Sequence, residues 1–119
     1  MALNEDFLKL AAAAKKRILE LTPEEALKKQ AQGAVVVDVR DSEELADKPA
    51  LPGAVNISRG RLEINIADVA PDKDAPVVLY CAGGNRGALA TDSLRQMGYR
   101  NVFNVAGGLN AINAQEKDK

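Results

Sequence analysis

Between Asn4 and about Glu20, Phe7, Leu10, Ala11, Ala14 and Ile18 recur at three- and four-residue steps. That stripe predicts an amphipathic helix, with Asn4 as its N-cap, added in front of the main fold. Thr22-Pro23-Glu24-Glu25 supplies an N-cap, a proline at the first helical position and a capping-box acid, so a second helix should run to Gln32 and stop at Gly33. Ala34 to Val39 and Pro76 to Tyr80 are short apolar runs without alternation, as expected of central parallel strands buried on both faces. Asn101 to Val105 and Ala54 to Ile57 give two weaker strands, and a short extended piece around Leu19 to Leu21 supplies a fifth. From Arg86 to Met97 the positions Leu89, Ala90, Ser93, Leu94 and Met97 form one helical face, closed by Gly98.

Short buried strands alternating with helices of about ten residues predict a three-layer α/β/α domain around a mainly parallel, roughly five-stranded sheet. The expected organisation is an N-terminal helical extension over 1–20, one domain over 21–114 and a polar tail over 115–119. A chain of 119 residues has room for one core and no second domain.

Charge narrows the partners. Lysine and arginine number 16 against 17 acidic residues, so no overall positive field exists to hold nucleic acid or anionic lipid. The apolar stretch Leu10 to Ala14 is too short to span a bilayer, which needs roughly 20 such residues. Glu5 and Asp6 stand where a secretory signal would carry positive charge, and the expected compartment is the cytoplasm.

The chain has one cysteine and no histidine, an inventory that removes intramolecular disulfides, thiol-rich metal sites, Cys-His proteases and Ser-His-Asp hydrolases. With no internal resolving thiol, any redox cycle through Cys81 must be finished by another molecule. Cys81 lies between a buried strand and a helix, where open α/β sheets place their ligand crevices. Ala82-Gly83-Gly84-Asn85 follows it, and the two glycines let backbone N–H groups turn inward as an anion-binding nest. The helix N-terminus and Arg86 add positive potential, which favours thiolate over thiol at Cys81. The competing reading is a small buried hydrophobe, the commoner fate of a lone cytosolic cysteine. Gly-Gly and a forked cation at the mouth of a helix favour the functional one.

Four segments in order resemble the single-domain rhodanese family, from about Leu21 to Ile112. They are Val37-Asp38-Val39-Arg40 with Glu43-Glu44, then Pro52 to Ile57, then Tyr80-Cys81 through Arg86, and last Gly98 to Val102 with Ala106-Gly107-Gly108-Leu109. The resemblance implies a sulfurtransferase in which Cys81 becomes a persulfide and Ala82, Gly83, Gly84, Asn85, Arg86 and Gly87 form the cradle. It implies sulfane sulfur taken from thiosulfate or a persulfide and passed to cyanide, a thiol or a protein, with no metal or organic cofactor. Arg86 and the loop N–H groups would neutralise the donor and the departing sulfite. Four residues separate Cys81 from Arg86, as in sulfurtransferases of this fold, whereas its phosphatase and arsenate-reductase relatives carry one more. A further alternative is a non-catalytic binding module that keeps the fold and uses the crevice to hold a partner.

Asp38 and Arg40 end another strand at the same sheet edge and are candidates to brace the active loop, the alternative being an ordinary ion pair near solvent. Arg59 and Arg61 are candidates to draw a thiosulfate-like anion to the crevice mouth; as solvated surface cations they would have no role. Gly107-Gly108 should form a tight turn beside the active loop. The family's histidine before the Pro-Gly-Ala turn is Ala50 here, its serine after the loop arginine is Gly87, and its closing tryptophan is Ile112. A hydroxyl at Gly87 would have reached the sulfur or the donor. The N-terminal helix has two options, docking on its own chain or joining two chains as a homodimer, through a stripe containing Phe7 and Leu10.

Overall fold

A computed structural model describes residues 4–117, leaving the first three residues of the N-terminal extension and the last two of the polar tail outside the described part. Five parallel strands, β1 (Leu19–Leu21), β2 (Val35–Asp38), β3 (Val55–Asn56), β4 (Val77–Tyr80) and β5 (Val102–Val105), form one sheet in the order β1-β5-β4-β2-β3. Central β4 pairs Val36 with Val78 on one side and Leu79 with Asn104 on the other. This is the expected α/β architecture, with helices on both faces.

The two-residue period of the strands divides the core. Val37, Val39, Leu79 and Cys81 point to one face and pack with Leu62 and Ile66 of α4 (Leu62–Val69) and Ala90 and Leu94 of α5 (Asn85–Gln96). Val36, Val78, Tyr80 and Val105 point to the other, against Ala26 of α2 (Pro23–Ala31) and Leu109 and Ile112 of α6 (Gly108–Lys117). Ile112 is fully buried, so the residue in the tryptophan position is a core aliphatic. Each side chain of this size that leaves water contributes about 1.5–3 kcal/mol.

Helix ends follow the local chemistry where that chemistry is local. Thr22 Oγ1 accepts from Glu25 N at 3.2 Å and Glu25 Oε1 accepts from Thr22 N at 2.8 Å, the complete capping box. Gly33 and Gly98, with φ of 102° and 97°, follow α2 and α5 as left-handed stops.

Several elements depart from expectation. The first helix, α1 (Glu5–Lys15), ends before Glu20, and Leu10 is 62% exposed and not on the packing face. Helix α3 (Glu44–Asp47) is a single turn, and α4 follows a 3-10 turn at Arg59–Arg61; neither had a repeating stripe long enough to announce it. Helix α6 runs to Lys117, through residues expected to fray from 115 onward. It starts at a glycine with no polar cap of its own, and its first free N–H groups are satisfied by a distant loop.

Candidate active site

That distant loop is the one that follows β4. Cys81 leaves the strand's carboxyl end 1% exposed, and the chain turns through Ala82, Gly83 and Gly84 into α5. Gly84 N and Gly87 N donate to Cys81 Sγ at 3.0 and 3.2 Å. Both donors belong to the first turn of α5 and its cap, so the helix's free N–H groups meet the sulfur as the Gly-Gly spacing predicted. Gly84 has φ of 104°, and a Cβ there would sit 3.1 Å from Gly107 N. Glycine is required at this turn for both reasons.

The loop's opposite side is held by α6. Leu109 N donates to Cys81 O at 2.8 Å and Asn110 N to Ala82 O at 3.0 Å. A Cβ on Gly108 would collide with those same two carbonyl oxygens. Gly107-Gly108 is therefore the tight turn expected beside the loop, and its second glycine lets one helix N-terminus cap the active loop while another faces the sulfur. The carbonyls of Cys81 and Ala82 are thereby turned to α6, while the amides of Gly84 and Gly87 meet Sγ.

Gly87 is small because Asn104 is in the way: a Cβ on Gly87 would overlap Asn104 Oδ1. Asn104 is fully buried on β5, and its Nδ2 donates to Gly84 O at 3.0 Å and to Glu20 Oε2 at 2.8 Å. Its Oδ1 has no hydrogen-bond partner among the described residues. Sequence reading passed over Asn104, although a polar residue in the middle of an otherwise apolar buried strand was a signal.

Arg86 is not free to face a donor alone. Its guanidinium donates to both Glu44 oxygens, at 2.7 and 2.9 Å, a bidentate ion pair a third exposed on each side. Those hydrogen bonds hold the Glu44 carboxyl down at about 2, against the opposing effect of burial, and they raise the Arg86 guanidinium further above its ordinary value. Asn85 Oδ1 accepts from Lys15 Nζ of α1 at 3.0 Å.

Asp38 and Arg40 form neither a brace bonded to the loop nor a pair near solvent. Both are buried, and Arg40 Nε and a terminal nitrogen donate to the Asp38 carboxylate at 2.7–3.1 Å. Asn56 Nδ2 donates to the carbonyls of both residues. Their effect on the loop is indirect, since the turn they lock leads into α3 and Glu44, the partner of Arg86.

A cleft of about 700 Å³ opens over Cys81. Ala82, Gly83, Asn85 and Arg86 form its floor with the cysteine, Asp41, Glu43 and Glu44 one rim, and Asn4 and Phe7 of the N-terminal region the other. The two expected anion attractors lie elsewhere. Arg59 is engaged with Glu63 at 2.8 Å and Ser93 Oγ at 3.1 Å, and Arg61 lines a neighbouring hollow with Asn56 and Ser58. Neither arginine lines the cleft itself, whose rim is acidic, although the hollow that Arg61 lines shares Asp41 and Glu43 with it.

The family model for a rhodanese-like domain matches residues 22–115. The chain belongs to the rhodanese-like domain family. Among members of this family, the thiosulfate sulfurtransferase GlpE of Pseudomonas fluorescens is 38% identical over 90 residues, 74% of this chain and 78% of that protein. A protein of unknown function from Rhodopseudomonas palustris, described as a possible tyrosine phosphatase, superposes with a TM-score of 0.82 at 30% identity, covering 98% of this chain and 95% of the other. The polysulfide-sulfur transferase homodimer of Wolinella succinogenes gives a TM-score of 0.79 at 31% identity, covering 93% and 84%.

Proposed function

We propose that this rhodanese-family sulfurtransferase works by carrying sulfur on Cys81 as a persulfide. The observation that supports this most directly is the pair of N–H groups of Gly84 and Gly87 pointing at a buried, unpaired Sγ. In the first half-reaction the Cys81 thiolate attacks the outer sulfur of thiosulfate or another sulfane donor. An S–S bond forms at Sγ as the donor's own S–S bond breaks, and the electron pair leaves on sulfite or the donor thiolate. In the second, a thiol, cyanide or a protein thiol attacks the outer sulfur of the persulfide and the Cys81 thiolate departs. In the thiolate form these two amides face the charged Sγ; in the persulfide the charge moves to the outer sulfur, deeper in the cleft that the loop lines. An unpaired thiol used in this way suits a reducing compartment, and we place the protein in the cytoplasm. Among the described residues no helix is long and apolar enough to cross a membrane.

The phosphatase alternative finds less support. Four residues separate Cys81 from Arg86, one fewer than in the phosphatase relatives of this fold, which gives a narrower cradle. Incubation with thiosulfate should leave the intact protein heavier by one sulfur atom in mass spectrometry, reversed by cyanide or dithiothreitol, with no change in Cys81→Ala. A mass gain that persists in Cys81→Ala, or hydrolysis of an aryl phosphate without any gain, would refute the persulfide reading. Full function of Cys81→Ser in a cell lacking the gene would instead favour a binding module.

A further inference from the structure

We propose that α1 is a working wall of the active site, and that Phe7 on that wall makes the cleft prefer sulfur acceptors with an uncharged, apolar body over anionic ones. This rests on the persulfide reading above and names the substrate class for it.

Phe7, Ala11 and Ala14 are spaced i, i+4, i+7 and share one helix face. Helix α1 packs along α5 with Ala11 and Ala14 buried. Side chains this small allow close approach. Arg17 clamps the far end, donating to both Asp92 oxygens at 2.8–3.2 Å, and Lys15 ties the helix to Asn85 at the start of α5. At the near end the Asn4 side chain accepts from Phe7 N at 2.7 Å. The helix is thus capped at its start and tied to α5 by two side chains, and the residue left at the mouth, half-buried over the cysteine cleft, is an aromatic ring. Helix α1 itself lies outside the family match, which begins at residue 22.

Among the cleft-lining side chains the acidic ones outnumber the basic. Asp41, Glu43 and Glu44 face the cleft with Arg86 as the one cationic side chain among the cleft-lining residues, and Arg86 is already paired to Glu44. Lys15 at Asn85 and Arg61 in the adjoining hollow lie next to this rim but do not line the cleft. A carboxylate or sulfonate entering beside the persulfide therefore meets three carboxylates and an already paired guanidinium, with an apolar ring also in the lining. An alkyl chain of the same length loses nothing on the acidic side and gains contact with Phe7.

The test is single-turnover sulfur release from protein first loaded with inorganic polysulfide, its persulfide quantified by intact mass. Propanethiol and 3-mercaptopropionate, matched in chain length, serve as acceptors. The expected result is release by propanethiol about fivefold or more faster, and a ratio that falls severalfold in Phe7→Ala but is kept in Phe7→Leu. Asp41→Asn with Glu43→Gln should narrow the ratio from the other side, by speeding the anionic acceptor. Equal rates in the parent protein, or a ratio indifferent to Phe7→Ala while circular dichroism shows α1 intact, would overturn the proposal. Failure to load any persulfide would instead overturn the reading beneath it, and the proposal with it.

Discussion

Asn104 Oδ1 fills the space into which any side chain at Gly87 would have to project. The glycine that replaces the family's serine is thus half of a pair, the other half being a fully buried amide one strand away. Its Nδ2 binds Gly84 O, so the group that excludes a side chain at 87 also holds the carbonyl of a residue whose amide faces the sulfur. Gly87→Ala should cost about 1–3 kcal/mol, the usual penalty of overpacking a rigid interior. Asn104→Ala in the same chain should recover much of that loss, a non-additivity that chemical denaturation of the two single variants and the double one will read directly. Simple addition of the two penalties would mean that the loop moves aside and the pair is uncoupled.

Gly84→Ala tests the sulfur cradle itself. At φ of 104° an alanine costs about 1–2 kcal/mol, and its methyl group would press on Gly107 N. Relief of that strain rotates the peptide whose N–H points at Sγ, so persulfide formation should fall by more than the stability does. A tenfold or greater loss in the rate of mass gain from thiosulfate, with the protein still folded by circular dichroism, is the expected outcome.

How far the site could be read from the chain depended on distance in sequence. Strands β2 and β4 were legible because unbroken runs of valine have few alternatives to a strand buried on both faces. The cradle was legible because all its parts lie within Cys81 to Gly87. What escaped was assembled from afar. Glu44 and Arg86 are separated by 42 positions, and no local pattern announces that one will clasp the other. Helix α6 takes its N-terminal capping from Cys81 O and Ala82 O, so the usual Ser or Asp signal is missing from its own sequence. Arg59 and Arg61 follow a strand, as a crevice residue would, but they form a 3-10 turn that hands Arg59 to Glu63 and Ser93 and sets Arg61 in a hollow next to the cleft.

The Glu44–Arg86 pair carries its own pH signature. The Glu44 carboxyl lies at about 2 in the folded chain and near 4.5 when free, so the unfolded chain binds the proton first as pH falls. Its contribution to stability is complete above pH 4.5 and is lost progressively down to about 2. Both side chains are a third exposed, which limits that contribution to about 1 kcal/mol. Glu44→Gln should therefore flatten part of the acid limb of a stability-versus-pH curve between those limits and leave the slope above pH 5 unchanged. The variant also removes one negative charge from the rim and unclasps Arg86, so half-saturation by thiosulfate should occur at a severalfold lower concentration. An unaltered acid limb would show that the pair does not persist in solution.

Asp38 and Arg40 make a sharper case, because both ends of the ion pair are buried and each has little but the other to compensate its charge. Removing one partner leaves the second as an uncompensated charge, which typically costs 3–5 kcal/mol, whereas replacing both with apolar residues of similar volume is often nearly neutral. Arg40→Met should accordingly destabilise the fold far more than Asp38→Leu with Arg40→Met together. The activity of the double variant separates two roles. If the pair only fills the core, sulfur transfer will survive in proportion to folded protein. If it shapes the turn that presents Glu44 to Arg86, as Asn56 bridging the two carbonyls argues, the double variant will remain folded yet lose the acid-limb signature of the Glu44 carboxylate and its effect on thiosulfate saturation. We expect the second pattern, because Arg40 O and Asp38 O are both held in place and Glu44 begins the next helix only four residues beyond Arg40.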